Sequence, residues 1–140
     1  MRIWFCRSND IGGWLIRLLT FSHWNHVAIE LHGVIYEAMA GQGVRILSPH
    51  DFAKRWAKSS VVDVSLLYPD QAQTFLKRQV GKPYDWGGVF AFPFRAAWHH
   101  PEKWFCSELA AEALREGGAK PTFRLSPDRV TPRDLWAALP

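Results

Sequence analysis

Residues 26–39 read HVAIELHGVIYEAM, which is two β-rich runs with His32-Gly33 between them. Small or conformationally permissive residues between two such runs are typical of a β-hairpin. An even-length turn predicts that Leu31 faces Val34 across the hairpin, with alternate residues on opposite faces. One face is then consistently apolar and suited to a core, and it comprises Val27, Ile29, Leu31, Val34, Tyr36 and Ala38.

The same register places His26 and Glu37 together on the other face of the hairpin. Diagonal neighbours on adjacent strands lie roughly 7 Å apart at Cα, so their side chains can meet. A carboxylate there can orient an imidazole and hold its tautomer. His23 is a rival to His26, which we favour because it directly precedes the strand. Glu30 shares the face of Glu37 but lies farther toward the turn, and an exposed strand residue is the other interpretation of Glu37.

A second informative stretch is WFCSELAAEALREGG, residues 104–118, which contains one of only two cysteines. Gly117-Gly118 ends a helical pattern that follows the cysteine. Cys106 therefore lies at or beside the N-cap, where unbonded N–H groups and the helix dipole stabilise a thiolate. Those N–H groups can also bind an oxyanion on a substrate carbonyl. Spacing alone does not bring His26 to Cys106, and a small buried cysteine remains the alternative.

Asp10 is predicted to cap another helix, in which apolar residues recur with helical spacing. We interpret this apolar face as part of the core, with a membrane-surface helix as the less favoured alternative. The face comprises Ile11, Trp14, Leu15, Leu18 and Leu19.

The rest of the chain mixes strands and helices without regular βαβ alternation, which favours an α+β fold. Residues 84–95 are rich in glycine and aromatic residues and receive no assignment. Strands are predicted for residues 1–5 and 61–67, and helices for residues 48–58, 69–80 and 132–139.

Length and composition predict a single domain over residues 1–140, with 48% hydrophobic residues to supply a core. The net charge is +4, but Lys and Arg are scattered, which indicates a solvated basic surface and no nucleic-acid partner. The N-terminal segment lacks the features of a signal peptide, and no apolar run is long enough to span a membrane. We therefore expect a cytoplasmic protein as synthesised, with export by a specialised route left open.

Cys6 and Cys106 are too few for a disulfide framework and match no zinc spacing. His50 and His99-His100 have no supporting carboxylate or cysteine spacing and are interpreted as loop histidines. No metal and no cofactor is predicted.

Four segments together resemble the circularly permuted branch of the NlpC-type papain-like amidases and peptidases, the YiiX-like group. They are SHWNHVAIEL, GVIYEAMAGQGV, GKPYDWGGVF and WFCSELAAEAL, and the ending SPDRVTPRDLWAALP is also similar. In that branch the histidine strand precedes the cysteine helix, as it does here, and the resemblance covers nearly the whole chain.

The resemblance implies a papain-like α+β fold, with an antiparallel sheet packed against helices. It implies that Cys106 is the nucleophile, His26 the general base and acid, and Glu37 the third polar residue. Tyr84 would line the cleft and contact substrate. The implied reaction is hydrolysis or transfer at an amide bond through an acyl-enzyme, with an ester or thioester as the alternative. Peptidoglycan peptides are the leading substrate class, and we expect a monomer.

Two other functions stay open. The lecithin:retinol acyltransferase relatives share the permuted layout, and the tryptophans and basic charge would suit a lipid substrate at a membrane surface. A non-catalytic phage or envelope module that retains the fold is the third.

Overall fold

The computed structural model describes residues 1–85, 102–119 and 129–140. Predicted features at residues 86–95 and at His99-His100 lie outside them. The elements are β1 (Arg2–Arg7), α1 (Ile11–Thr20), β2 (His26–Leu31), β3 (Val34–Met39), β4 (Gly43–Leu47), α2 (Pro49–Ala53), β5 (Lys58–Asp63), α3 (Pro69–Gln79), α4 (Cys106–Glu116) and α5 (Pro132–Ala138).

The strands form one antiparallel sheet in the order β4-β3-β2-β1-β5. The predicted hairpin is its centre, and Leu31 pairs with Val34 as expected. His32 and Gly33 have φ values of 50° and 79°. Positive φ at both central residues is the mark of a tight two-residue turn whose twist matches that of the strands. The register that the sequence predicted is therefore confirmed.

Both faces of the hairpin are buried. The predicted apolar face packs against α4, and Val27 and Ile29 share the main core with Leu109. On the other face Ala28 and Ile35 pack with Phe52 of α2 in a second, smaller cluster. The side chains of His26 and Glu37 lie on this second face and are buried.

Helix starts were predicted well, and strands less well. Thr131 caps α5 and Ser48 caps α2, each followed by proline at the first helical position. Helix α2 ends at Ala53, five residues before the predicted end, because the chain turns there into β5 at Lys58. Strand β4 was not predicted at all.

The orientation predicted for α1 is wrong. Asp10 caps the helix as expected, and its side chain accepts a hydrogen bond from Gly13 N at 2.5 Å. However, most of the apolar face points to solvent, and Leu19 alone of the predicted five packs on the core. The opposite side of the helix carries small residues, and a Cβ on Gly13 would clash with Ser8 Oγ at 2.2 Å. These small residues therefore allow α1 to pack closely against the rest of the protein.

Within the described parts of the chain, no helix combines the length and the apolar character needed to cross a bilayer.

Candidate active site

His26 and Glu37 are in direct contact on adjacent strands. His26 Nε2 lies 2.7 Å from Glu37 Oε2, and both side chains are buried. Because Nε2 is engaged by the carboxylate, Nδ1 is the ring nitrogen left for another partner. His23, the rival histidine, is exposed and packs edge-on against the Trp24 ring. Glu30 points to Arg2 and Trp4 instead of to His26.

Two arginines hold the other oxygen of Glu37. Arg45 Nε donates to Oε1 at 2.9 Å and Arg55 Nη2 donates to it at 2.6 Å. Burial raises the pKa of Glu37, but the hydrogen bond and charge of His26, the charge of Arg55 and the Arg45 hydrogen bond outweigh it and lower the pKa to about 2. Glu37 is therefore a carboxylate throughout the physiological range.

Sequence reasoning missed three residues around this pair: Arg45, Arg55 and Trp56. Arg45 stands directly opposite Glu37 in the β3–β4 ladder, and the alternating run GVRIL was the signal that could have revealed it. Trp56 stacks on the His26 ring, with centroids 4.8 Å apart and an interplanar angle of 15°. The segment after α2 that carries Arg55 and Trp56 had been predicted as helix, so its position over His26 had no sequence signal.

Cys106 is the first residue of α4, one position after the N-cap residue Phe105. A phenylalanine side chain offers no acceptor to the N–H groups of the first turn. Instead, the Glu108 side chain reaches back to accept from Phe105 N at 3.3 Å, and Ser107 Oγ donates to Val130 O at 2.5 Å. These bonds fix the start of the helix, and with it the position of the thiol.

The structure brings Cys106 and His26 together. Burial lowers the pKa of His26, but hydrogen bonds to Cys106 and Glu37 and the negative charges of both outweigh it and raise the pKa to about 9. His26 is therefore protonated at neutral pH. His26 thus has hydrogen-bond contacts with both Cys106 and Glu37.

Tyr84 is buried near the thiol. Its ring packs against Phe105, with centroids 5.9 Å apart. Burial, and then the charges of Cys106 and Asp85, raise the pKa of Tyr84 well above its ordinary value, so the phenol stays neutral. The loop that carries Tyr84 is linked to the segment before α4 by a backbone hydrogen bond, in which Trp104 N donates to Pro83 O at 3.1 Å.

A cavity of about 420 Å³ opens beside the histidine. Its lining includes His26, Tyr84 and Trp56, together with Leu15 and Leu19 of α1. Cys106 itself is buried and is not among the residues that line the cavity. Most of the wall is apolar, so an apolar group fits the cavity better than a charged one.

Cys6 is a free, fully buried thiol in β1, paired in register with His26. Burial, followed by the charges of Glu37 and Cys106, raises the pKa of Cys6 far above that of an ordinary thiol. His50 is exposed beside Asp51. Within residues 1–85, 102–119 and 129–140 no three His, Cys, Asp or Glu side chains are arranged to hold a metal ion.

The five-stranded antiparallel sheet, packed against helices with a cysteine at a helix start, is an α+β architecture of the papain-like type. A solved structure supports this class: the metalloprotein YiiX from Escherichia coli O157:H7 aligns with a TM-score of 0.65 and 22% sequence identity. The alignment covers 83% of this chain and 64% of the YiiX chain. At that identity the likeness concerns the fold.

No protein-family model matches the sequence, and no curated protein matches it significantly. The predicted fold class is nevertheless confirmed by the architecture and by the structural similarity to YiiX.

Proposed function

We propose that the protein is a cysteine hydrolase that works through an acyl-enzyme on Cys106. The contact of His26 with both Cys106 and Glu37 carries the proposal. A nucleophilic thiol, a base bonded to it and a carboxylate that orients the base are the parts that covalent acyl transfer requires.

The reaction has two halves. The Cys106 thiolate attacks the substrate carbonyl carbon, and His26 passes its proton to the leaving amine, alcohol or thiol as its bond to carbon breaks. A water molecule then gives a proton to His26 and attacks the resulting thioester, which releases the acid and restores the thiolate. The N–H groups at the start of α4 can bind the oxyanion in both halves.

An amide bond, with a muropeptide as the leading example, is the substrate implied by the sequence resemblance. The apolar cavity favours a second candidate, an ester, thioester or amide of an apolar acyl group. Ser8, Asp10 and Asn25 also line the cavity, but most of its wall is apolar and suits a hydrocarbon chain better than a charged peptide. The acyl chain would lie in this cavity with its carbonyl carbon toward the thiol.

The thiol chemistry is tested by Cys106→Ala, with Cys6→Ala as the matched control. Cys106→Ala should abolish turnover of a soluble acyl thioester, whereas Cys6→Ala should retain it. Intact-mass spectrometry of the wild-type protein should show one acyl group, mapped to residue 106. Unchanged turnover by Cys106→Ala, or an acyl group on Cys6, would end the proposal.

The substrate is tested by comparing muropeptides with acyl esters of increasing chain length. A kcat/KM that rises with chain length until the cavity is filled would support the apolar acyl group. Efficient cleavage of muropeptides without that trend would assign the amide. A wild-type protein that forms no acyl-enzyme with either series would favour a non-catalytic module.

A further inference from the structure

Helix α1 presents an apolar stripe to solvent, at the spacing i, i+3, i+4, i+7 that normally faces a core. The exposed fractions are 86% for Ile11, 56% for Trp14, 41% for Leu15 and 52% for Leu18. Phe21, which caps the helix in a left-handed conformation, is 75% exposed and extends the stripe. Single exposed apolar residues are common, but a contiguous stripe of five marks a surface that binds something.

Apart from Asp10, which caps the start of α1, the charges near the stripe are positive. Arg7, Arg17 and Lys58 all act electrostatically on the exposed His23, which lies two residues beyond Phe21. Arg7 and Lys58 are paired in register on β1 and β5, so this end of the sheet carries two adjacent cations. Asp10 is the one acid between residues 7 and 25 of the sequence. A basic rim around an apolar stripe complements an anionic lipid surface.

The stripe also continues into the cavity beside His26. Leu15 belongs to both, since it is exposed on α1 and lines the cavity with Ile16 and Leu19. An apolar chain could therefore pass from the outer side of α1 toward His26 along apolar contacts.

We propose that α1 is a membrane-docking surface: the stripe Ile11, Trp14, Leu15, Leu18 and Phe21 enters the interface of an anionic bilayer, with Arg7 and Lys58 at the lipid headgroups. Tryptophan beside aliphatic residues is suited to that interface, because its ring is apolar and its N–H is polar. Delivery of an acyl substrate from the bilayer to Cys106 rests on the proposed function, whereas the docking itself does not.

Docking is tested with full-length protein carrying Cys106→Ala, so that no turnover alters the lipids. The protein should co-sediment with vesicles of phosphatidylcholine and phosphatidylglycerol at low salt, and bind less at high salt or to phosphatidylcholine alone. Adding Trp14→Ser and Leu18→Ser should lower the partition coefficient at least about tenfold, because both side chains leave the interface. Neither residue lines the cavity.

Leu67→Ser is the matched control. Leu67 is 67% exposed, and it follows the end of β5 opposite the end beside α1. Its replacement should leave vesicle binding unchanged. Equal binding by the Trp14/Leu18 variant, or no binding by the parent at low salt, would overturn the docking surface. Analytical sedimentation tests whether the stripe is instead a dimer interface. A dimer that does not bind vesicles, and that the same two substitutions dissociate, would contradict the docking proposal.

Turnover of a soluble acyl thioester separates this proposal from the catalytic one. The Trp14/Leu18 variant with Cys106 intact should hydrolyse that soluble substrate at the wild-type rate. If the wild-type protein binds vesicles but shows no turnover, the docking proposal is supported and the hydrolase proposal is contradicted. If it shows turnover but does not bind vesicles, the hydrolase proposal is supported and the docking proposal is contradicted.

Discussion

Glu37 contacts one histidine and two arginines, each within hydrogen-bond distance. The period of two along a strand was enough to predict that His26 and Glu37 share a face, because the register follows from a two-residue turn. The arginines could not be predicted in the same way. Arg45 depended on recognising β4, and Arg55 lies in a turn whose position over His26 depends on tertiary packing.

Glu37→Gln should lower kcat on the order of 100-fold while KM changes little, because the amide no longer neutralises the His26 imidazolium as the carboxylate does. Steady-state kinetics on a soluble acyl thioester measure both values. Glu30→Gln is the matched control, since Glu30 is a buried glutamate bonded to Trp4 Nε1 at 2.9 Å and does not contact His26. Equal loss in the two variants would mean that general destabilisation, and not positioning of the imidazole, is responsible.

The His26 contacts should also make stability depend on pH. The pKa of His26 is about 9 in the folded protein against an ordinary value of 6.5. Its contribution is therefore complete below pH 6.5 and is lost as the pH rises to 9, because the unfolded chain loses the proton first. Between those limits the wild-type free energy of unfolding should fall by roughly 1–3 kcal/mol more than that of His26→Asn. Urea titrations across this range measure the difference, and parallel curves would contradict it.

At the scale of elements, helix α1 shows the limit of pattern reasoning. Hydrophobic periodicity identifies which residues share a face, but it does not say whether that face points inward. Gly13 and Thr20 are the buried residues of α1, so the inner side allows a close approach that periodicity does not register. Helix α4, by contrast, keeps its apolar residues Leu109, Ala110 and Leu114 buried. Strand β4 was missed although its run GVRIL alternates, because that run is only five residues long.

Strand β4 anchors the loop that leads to Tyr84. Val44 N donates to Lys82 O at 2.8 Å, and Gly81 N donates to Val44 O at 2.8 Å. Gly43 has a φ of 71°, and a Cβ there would lie 2.3 Å from Lys82 O. Gly43 is thus required by both its conformation and the close approach of the loop.

Gly43→Ala should destabilise the protein by about 1–3 kcal/mol more than Gly41→Ala, because only Gly43 meets the loop backbone. Gly41 has a similar φ of 77°, and no atom lies within 4 Å of the position that its Cβ would take, so it carries the same conformational cost without the clash. Urea unfolding of both variants gives the difference. Gly43→Ala should also raise KM, because the displaced loop carries Tyr84. Equal stability of the Gly43→Ala and Gly41→Ala variants would show instead that the loop moves to accommodate the added methyl group.

At the scale of the molecule, the site joins distant parts of the chain. His26 and Glu37 come from neighbouring strands of the sheet, and Cys106 comes from a helix far along the sequence that packs on the same strands. The sequence predicted each half from local patterns. It brought the halves together only through the family resemblance, because no spacing rule specifies which strand a distant helix covers.

This long-range assembly predicts that the site is lost in the same transition as the fold. In the Cys106→Ala variant, Cys6 is the only thiol, and it is fully buried in β1 between β2 and β5. Because β1 lies inside the sheet, Cys6 should react with a thiol reagent only when the sheet opens. Urea transitions are measured in this variant by pulsed labelling of Cys6 and by far-UV circular dichroism, and in the wild-type protein by turnover. After correction for the difference in stability between the two proteins, we expect the three transitions to coincide.

The physical reason is that neither half of the site has a core of its own. The hairpin buries its apolar face against α4, and Leu109 and Leu114 of that helix are fully buried in the same cluster. Separating Cys106 from His26 therefore exposes the central core, which costs nearly as much as unfolding. If turnover is lost at a clearly lower urea concentration than the one at which Cys6 becomes labelled, the start of α4 opens locally while the sheet stays intact.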